Sequence, residues 1–224
     1  MTSGITGLIL AGGRSRRMGR DKAWLPWGPT TLIERTLEVL RPIMDEVIVV
    51  VSEAGPFRRL PVRVVEDEVP GAHALGGLYT GLRSATTNLC FACGCDAPFL
   101  QPAVIHALRD LADGYDGVIP CDAGRLHPLH AIYRTTITPV VSAQLCAARW
   151  DVAALAGRVR TRVVDVDALA CGADARLSLF NVNTPADYAR ALALNTSRVG
   201  SVPVGGQLRS AEVLGASQHG KRLS

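Results

Sequence analysis

Val47-Ile48-Val49-Val50-Val51 is an unbroken run of β-branched residues, and a run without polar alternation makes a stable strand only where both of its faces are covered. Two covered faces imply helices above and below a sheet. The rest of the chain agrees. Strands are expected over residues 5–10, 62–65, 89–94, 118–119, 127–133 and 162–166. The stretch 62–65 reads as another strand of the same buried kind, with Pro61 tolerated only at its start. Between the strands lie helices expected to end near Leu40, to cover 76–85, 102–111, 138–149 and 185–194, and to include a short segment at 151–156. Thr31-Leu32-Ile33-Glu34 has the Ser/Thr-x-x-Glu form of a capping box, which places Ile33, Leu37 and Leu40 on one helical face. Pro102, Pro139 and Pro185 sit where a first helical turn accepts proline. The alternation predicts an α/β fold in three layers, a mainly parallel sheet with helices on both faces. Ligands of such sheets lie beyond the carboxyl ends of the strands.

The chain of 224 residues suits a single domain with its own core, expected over residues 1–194. An apolar share of 48% with only 5% aromatics makes that core mostly Ala, Val, Leu and Ile, a palette suited to buried parallel strands. From Asn195 onward the chain is rich in Ser, Gly and charge, lacks periodicity, and reads as a disordered tail. Arg198, Arg209, Lys221 and Arg222 against Glu212 give this tail +3 of the total charge of +4. The nearly neutral body has no basic stripe with interleaved aromatics, which speaks against nucleic-acid binding. No apolar run approaches the roughly 18 residues of a membrane span, and the N-terminus has no charged-then-apolar leader pattern. A cytoplasmic protein with no membrane partner is expected. The six cysteines, Cys90, Cys93, Cys95, Cys121, Cys146 and Cys171, lack a second ligand pair at zinc-site spacing. The first three fall in an apolar strand, where a thiol acts as a small hydrophobe.

The first strand runs straight into Gly12-Gly13-Arg14-Ser15-Arg16-Arg17-Met18-Gly19-Arg20-Asp21-Lys22. Glycines permit a sharp turn and a close backbone approach to a ligand, and amides so placed can face phosphate oxygens. Five basic side chains against Asp21 suit a polyphosphate with its metal ion. The spacing matches neither the dinucleotide fingerprint nor the P-loop. Read from Leu10, the string Leu-Ala-Gly-Gly-x-Ser-x-Arg-Met-Gly-x-Asp-Lys resembles the signature of GT-A-like, Rossmann-related nucleotidyltransferases, and within them the molybdenum cofactor guanylyltransferases. The resemblance covers about residues 5–194. It implies the nucleotide-diphospho-sugar transferase-like form of the fold, Mg²⁺ as cofactor, and GTP and molybdopterin as substrates. Transient contact with molybdenum-insertion and molybdoenzyme proteins is implied as well. For this chain it assigns binding to Leu10, Ala11, Gly12, Gly13, Lys22, Ser52, Asp67, Asp96, Asn181 and Asn183, and catalysis to Lys22, Asp96 and Arg17.

The residue chemistry supports these assignments, each beside a plainer reading. Asp96 ends its strand in Cys95-Asp96-Ala97-Pro98, where the resemblance implies a metal ligand. Mg²⁺ takes one or two carboxylates completed by phosphates and water, although a turn aspartate has the same look. Asp67, after Glu66, can accept from a guanine or a ribose, or be a solvated turn residue. Asn181-Val182-Asn183-Thr184-Pro185 is similar to the family's acceptor-end motif, and Asn183 or Thr184 can equally cap the last helix. His127-Pro128-Leu129-His130 also falls in the implied acceptor region. On an extended strand its two histidines point to opposite faces, which argues against a shared metal. Two departures from the family pattern stand out: Ser52, where relatives can carry asparagine, and the segment 70–77, one residue longer than usual.

The implied reaction is transfer of GMP from GTP to the phosphate of molybdenum-loaded molybdopterin. Cytidylyl transfer to the same pterin, nucleotidyl transfer to a sugar phosphate, and a non-catalytic nucleotide- or pterin-binding protein are the alternatives. Gly12 stands where cytidylyl relatives carry alanine, and is read as leaving room for a purine.

Overall fold

The computed structural model describes residues 4–12, 21–169 and 173–199. In chain order these form β1 (Ile5–Leu10), a hairpin of β2 (Pro26–Trp27) and β3 (Thr30–Thr31), α1 (Leu32–Leu40), β4 (Glu46–Val51), β5 (Arg63–Glu66), α2 (His73–Ser84) and β6 (Leu89–Gly94). There follow α3 (Pro102–Asp110), β7 (Gly117–Asp122), β8 (Arg125–Leu126), β9 (His130–Arg134), α4 (Thr138–Cys146), β10 (Thr161–Asp165), α5 (Ala173–Ser178) and α6 (Pro185–Val199). The main sheet runs β10-β7-β9-β6-β1-β4-β5, with β8 paired to β7. β1 is parallel to β4 and β6, β5 to β4, and β10 to β7. β9 runs antiparallel between β6 and β7. The carboxyl ends of β1, β4, β5 and β6 therefore share one edge, and the start of β9 lies there too.

The β-branched run does what its composition requires. Val47, Val49 and Val51 belong to one buried layer that includes Ile33, Leu37 and Leu40 of α1 and continues to Val104, Ile105 and Leu108 of α3. Ile48 and Val50 face the other way, onto the layer of Leu75, Leu78 and Leu82 of α2, which continues to Val141 of α4. Each such side chain contributes on the order of 1.5–3 kcal/mol when fully buried, so the strand is anchored from both sides. A third cluster of Leu25, Trp27, Leu32, Phe99, Val182 and Ala191 docks α6 against the β2–β3 hairpin. The capping box forms: the Thr31 amide and hydroxyl both donate to Glu34 Oε2, at 2.9 and 2.7 Å.

Several elements differ from expectation. β5 is an edge strand with Arg63 and Glu66 exposed, because two adjacent valines are too short a run to distinguish an edge from a covered strand. α2 starts at His73, three residues early, once Gly71 (φ +88°) has made the turn. Residues 127–129 are a turn and not part of β9: the His127 amide donates to Pro120 O (2.9 Å) and the His130 amide to His127 O (3.1 Å), and Pro128 has no N–H for a ladder. The β7–β8 hairpin turns on Ala123 (φ +47°) and Gly124 (φ +79°), the positive pair that a two-residue hairpin needs. Ala-Gly conceals a signal that Asn-Gly would display. α4 stops at Cys146, and the six residues of α5 are too few to show a helical period. α6 passes through Asn195 to Val199, with the hydroxyls of Thr196 and Ser197 bonded to the carbonyls of Leu192 and Ala193 at 3.0 Å. Residues 200–224 of the expected tail lie outside the described residues.

Cys90, Cys93 and Cys95 are buried and unpaired, and burial pushes the Cys90 thiol up to about 12, as suits a packed hydrophobe. Cys171 lies outside the described residues. Among those described, no helix is long and apolar enough to cross a membrane.

His130 opens β9 beneath the ligand edge, edge-on to Phe91 with centroids 5.3 Å apart and with Ser178 Oγ 3.2 Å from Nε2. Burial, assisted by His127, lowers its pKa to about 3, against about 6.5 in an unfolded chain. The unfolded state therefore protonates first, so the neutral ring's contribution to stability is complete above about pH 6.5 and is lost progressively toward pH 3. Urea unfolding between pH 7.5 and 5 is expected to lose stability more steeply for the native protein than for His130→Gln; equal slopes would contradict a buried neutral imidazole.

Candidate active site

The ligand edge is assembled where β1, β4, β5 and β6 end. Beyond β1, the Ala11 amide donates to Val50 O at 2.8 Å and the Cys95 amide to Leu10 O at 3.3 Å, which ties the start of the basic loop to strands on either side. The Ser52 hydroxyl donates to the Gly12 carbonyl. A Cβ on Gly12 would lie 3.0 Å from both the amide nitrogen and Oγ of Ser52. Glycine suits this close approach of the two segments, since any larger residue would press on Ser52. Gly13 and Arg17, with the loop's other arginines, lie outside the described residues.

Lys22 re-enters the edge on a single 3₁₀ turn, Lys22–Trp24, capped by Asp21 Oδ1 accepting from the Ala23 amide at 3.1 Å. Ala23 is fully buried. Trp24 packs on Phe57 with centroids 5.1 Å apart and lies under the Arg59 guanidinium, 4.2 Å from the ring centre. From this clamped turn Lys22 Nζ reaches Asp96 Oδ2 at 3.1 Å and Asn183 Oδ1 at 2.9 Å. Three residues separated by up to 161 positions thus meet, and the Lys22 and Asp96 side chains are each 18% exposed. A partly buried charge pair of this kind holds its geometry better than one in open solvent.

Two supports of this constellation were not singled out in the sequence. Asp96 folds back over Gly94, where a Cβ would overlap Asp96 Oδ1. The Val182 amide donates to Asp96 O at 2.9 Å, and Asp187 Oδ2 accepts from the Asn183 and Thr184 amides at 3.0 and 2.8 Å. Bonding from the Thr184 side chain, those two amides and the Lys22 charge hold the Asp187 carboxyl below its usual range despite a burial penalty. Asn183 therefore both belongs to the helix cap and reaches Lys22. Asn181 does not join them; among the described residues no hydrogen bond links its amide to Lys22 or Asp96.

Asp67 stands at the end of β5. Its Oδ1 accepts from the Val69 amide at 2.9 Å and from Thr80 Oγ1 at 3.1 Å, and Thr80 in turn accepts from the Glu68 amide at 2.9 Å. Thr80, buried within α2, is a further support that hydrophobic patterning passes over. Glu66 has a local task, accepting from the Ala54 amide at 3.0 Å. His127 is half-buried beyond the start of β9, and burial and then Arg125 lower its pKa. It is separated from His130 by the turn, whose closing bond runs from the His130 amide to His127 O at 3.1 Å.

Asp96, whose Oδ2 accepts from Lys22, is the carboxylate at this edge that could hold a cation. Among the described residues no three His, Cys, Asp or Glu side chains form a protein-built cage. A single carboxylate is a donor set compatible with an Mg²⁺-type ion, which completes its shell with phosphates and water.

Residues 7–158 match the family model described as the MobA-like NTP transferase domain. The chain belongs to the MobA-like NTP transferase family. This MobA-like transferase is 37% identical over 198 residues to the "Probable molybdenum cofactor guanylyltransferase" of Pelotomaculum thermopropionicum, covering 88% of this chain and 97% of that protein. It is 35% identical over 189 residues to a protein of the same name from Carboxydothermus hydrogenoformans, with 84% and 95% covered. Its fold is similar to the crystal structure of molybdopterin-guanine dinucleotide biosynthesis protein A from Archaeoglobus fulgidus, with a TM-score of 0.76, 24% identity, and 86% and 99% of the two chains covered. It is an enzyme of the nucleotidyltransferase class, with the mixed, mostly parallel sheet that its sequence implied.

Gly94→Ala in this MobA-like transferase must displace the Asp96 carboxylate. A misplacement near 1 Å costs roughly 100-fold in rate, so kcat is expected to fall by about that factor with little change in thermal midpoint. Unaltered kcat would show that the folded-back position of Asp96 is immaterial. Thr80→Val leaves the Glu68 amide without its acceptor, and a loss of about 1–3 kcal/mol in unfolding free energy is expected.

Proposed function

We propose that this chain transfers GMP from GTP to the terminal phosphate of molybdopterin, releasing pyrophosphate and leaving the guanine dinucleotide form of the cofactor. The observation that carries this reading is the meeting of Lys22, Asp96 and Asn183 at the ligand edge, in a chain whose relatives over nearly their whole length carry the guanylyltransferase name. In the reaction an acceptor phosphate oxygen bonds to the α-phosphorus as the bond from that phosphorus to the bridging oxygen breaks, and pyrophosphate departs with the electron pair. A phosphate nucleophile is already ionised near neutral pH, so no side chain need remove its proton. Alignment and charge neutralisation then supply the rate.

Lys22 exchanges its contact with Asp96 for the nucleotide's phosphates, and Asn183 keeps the ammonium aimed across the site. Mg²⁺ at Asp96 would neutralise charge on those phosphates. Leu10, Ala11 and Gly12 present backbone to the nucleotide, and the family motif assigns nucleotide binding to Gly13 and a catalytic positive charge to Arg17 as well. Asp67 Oδ1 is engaged by the protein, which leaves Oδ2 to accept from base or ribose. Ser52 acts through Gly12 by holding its carbonyl. Asn181 and His127 face the acceptor end. The enzyme works in the cytoplasm, passing its product on through transient contact with molybdenum-insertion and molybdoenzyme proteins. The intact Lys22–Asp96 pair favours a catalyst over a binding protein without turnover.

Purified protein with Mg²⁺ and molybdenum-loaded molybdopterin is expected to release pyrophosphate with GTP and not with CTP, ATP or UTP; release with CTP would overturn the base assignment. Asp96→Ala should abolish turnover, and chelation should do so reversibly on return of Mg²⁺. Lys22→Ala should raise the KM for GTP and lower kcat by roughly 100- to 1000-fold. Normal turnover by the Asp96 variant would remove that residue from the mechanism.

A further inference from the structure

Two large apolar side chains stand exposed among the described residues, Val163 and Trp150. Val163 lies on β10, an edge strand, where exposure is ordinary. Trp150, 42% exposed, has no such explanation. α4 begins at the end of the sheet remote from the ligand edge, where the Thr135 amide donates to Asn88 O at 3.0 Å, and climbs toward that edge. Trp150 follows its last turn. Both neighbours of Trp150 are pinned by one fully buried residue, Gln144: the Arg149 amide donates to Gln144 O at 3.1 Å, and Gln144 Nε2 donates to Asp151 O at 2.7 Å. Asp151 in turn caps the next turn through the Ala153 amide at 2.9 Å. The indole is thus held outward by a built loop.

Its neighbour is His73, the first residue of α2, exposed and with ring centroids 6.3 Å apart at 69°. The first turn of α2 backs directly onto Asp67, since the position a Cβ would take on Gly76 is 3.0 Å from Asp67 Oδ2. Through that ring contact Trp150 stands directly beside the first turn of the helix that bears on Asp67. A fixed aromatic face with a second ring at its edge suits a planar heteroaromatic ligand, and holding it in place beforehand reduces the entropy lost on binding. Two substrates of the proposed reaction carry such a ring. Those assigned to the nucleotide's base and sugar, Gly12, Ser52 and Asp67, lie at β1, β4 and β5. Trp150 belongs to the connection between β9 and β10, in the other half of the sheet.

We propose that Trp150, with His73 at its edge, is the stacking platform for the pterin ring of the acceptor. This assignment rests on the pterin acceptor proposed above. Stacking of this class corresponds to roughly 10-fold in affinity or more. In the full-length protein, Trp150→Ala is expected to raise the KM for molybdopterin about 10-fold while the KM for GTP and kcat at saturation stay near native, and Trp150→Phe should restore most of the loss. An unchanged acceptor KM, or an equal rise in both KM values, overturns the proposal. So does a concentration-dependent dimer that Trp150→Ala abolishes, which would make the indole a contact between copies.

Equilibrium fluorescence separates this proposal from the activity itself. A free pterin should quench native emission and leave Trp150→Phe, which retains Trp24 and Trp27, nearly unaffected, whereas GTP should not draw on Trp150. Quenching without turnover would sustain the platform and sink the transferase reading. Turnover with molybdopterin, but no quenching dependent on Trp150, would do the reverse.

Discussion

Burial of β1 and β4 on both faces is the constraint on which the rest of the molecule depends. With Ile9 and Val49 turned to one helical layer and Leu8 and Ile48 to the other, neither strand can slip by one residue without exchanging its layers. That register sets where each strand ends. It brings Gly12 against Ser52 and Leu10 against the Cys95 amide, so the loops that leave the sheet start from fixed points. The site is precise because the strands beneath it have nowhere else to go.

On that edge the chain concentrates charge that the core could not hold. Lys22 is carried by a turn whose Ala23 is buried and whose Trp24 is clamped by Phe57 and Arg59. Asp96 and Asn183 come from turns joined by the Val182 amide. The Lys22 ammonium has a carboxylate and an amide oxygen around it, and in the proposed reaction a triphosphate with its cation would replace those partners with stronger ones. The Lys22 charge is thus compensated by the chain's own Asp96 carboxylate.

Much of this was legible in sequence, for identifiable reasons. β1, β4 and β6 are long apolar runs, and α1, α3 and α6 open on a capping box or a proline, signals that local sterics make strong. The motif residues carried the family and, with it, Lys22, Asp96 and Asn183 as members of one site. Less legible were the elements whose identity depends on what lies beside them. β5 resembles a covered strand until its edge position is seen, α5 is too short to show a period, and the Ala123-Gly124 turn owes its form to strand pairing. The supports Gly94, Thr80 and Gln144 were equally hidden, since a small residue, a buried hydroxyl and a helical amide look alike wherever they occur.

By itself the sequence determined the class of fold, the mainly parallel character of its sheet and the family its loop motif marks, because periodicity, β-branching and motif spacing act over a few residues. Tertiary structure alone decided which atoms meet. It placed Lys22 on Asp96 and Asn183 across 161 positions, brought Gly12 tightly against Ser52, and set Trp150 beside His73. Such contacts depend on distances of a few tenths of an ångström between segments remote in the chain, and those distances exist only after the two layers of helices have closed on the sheet.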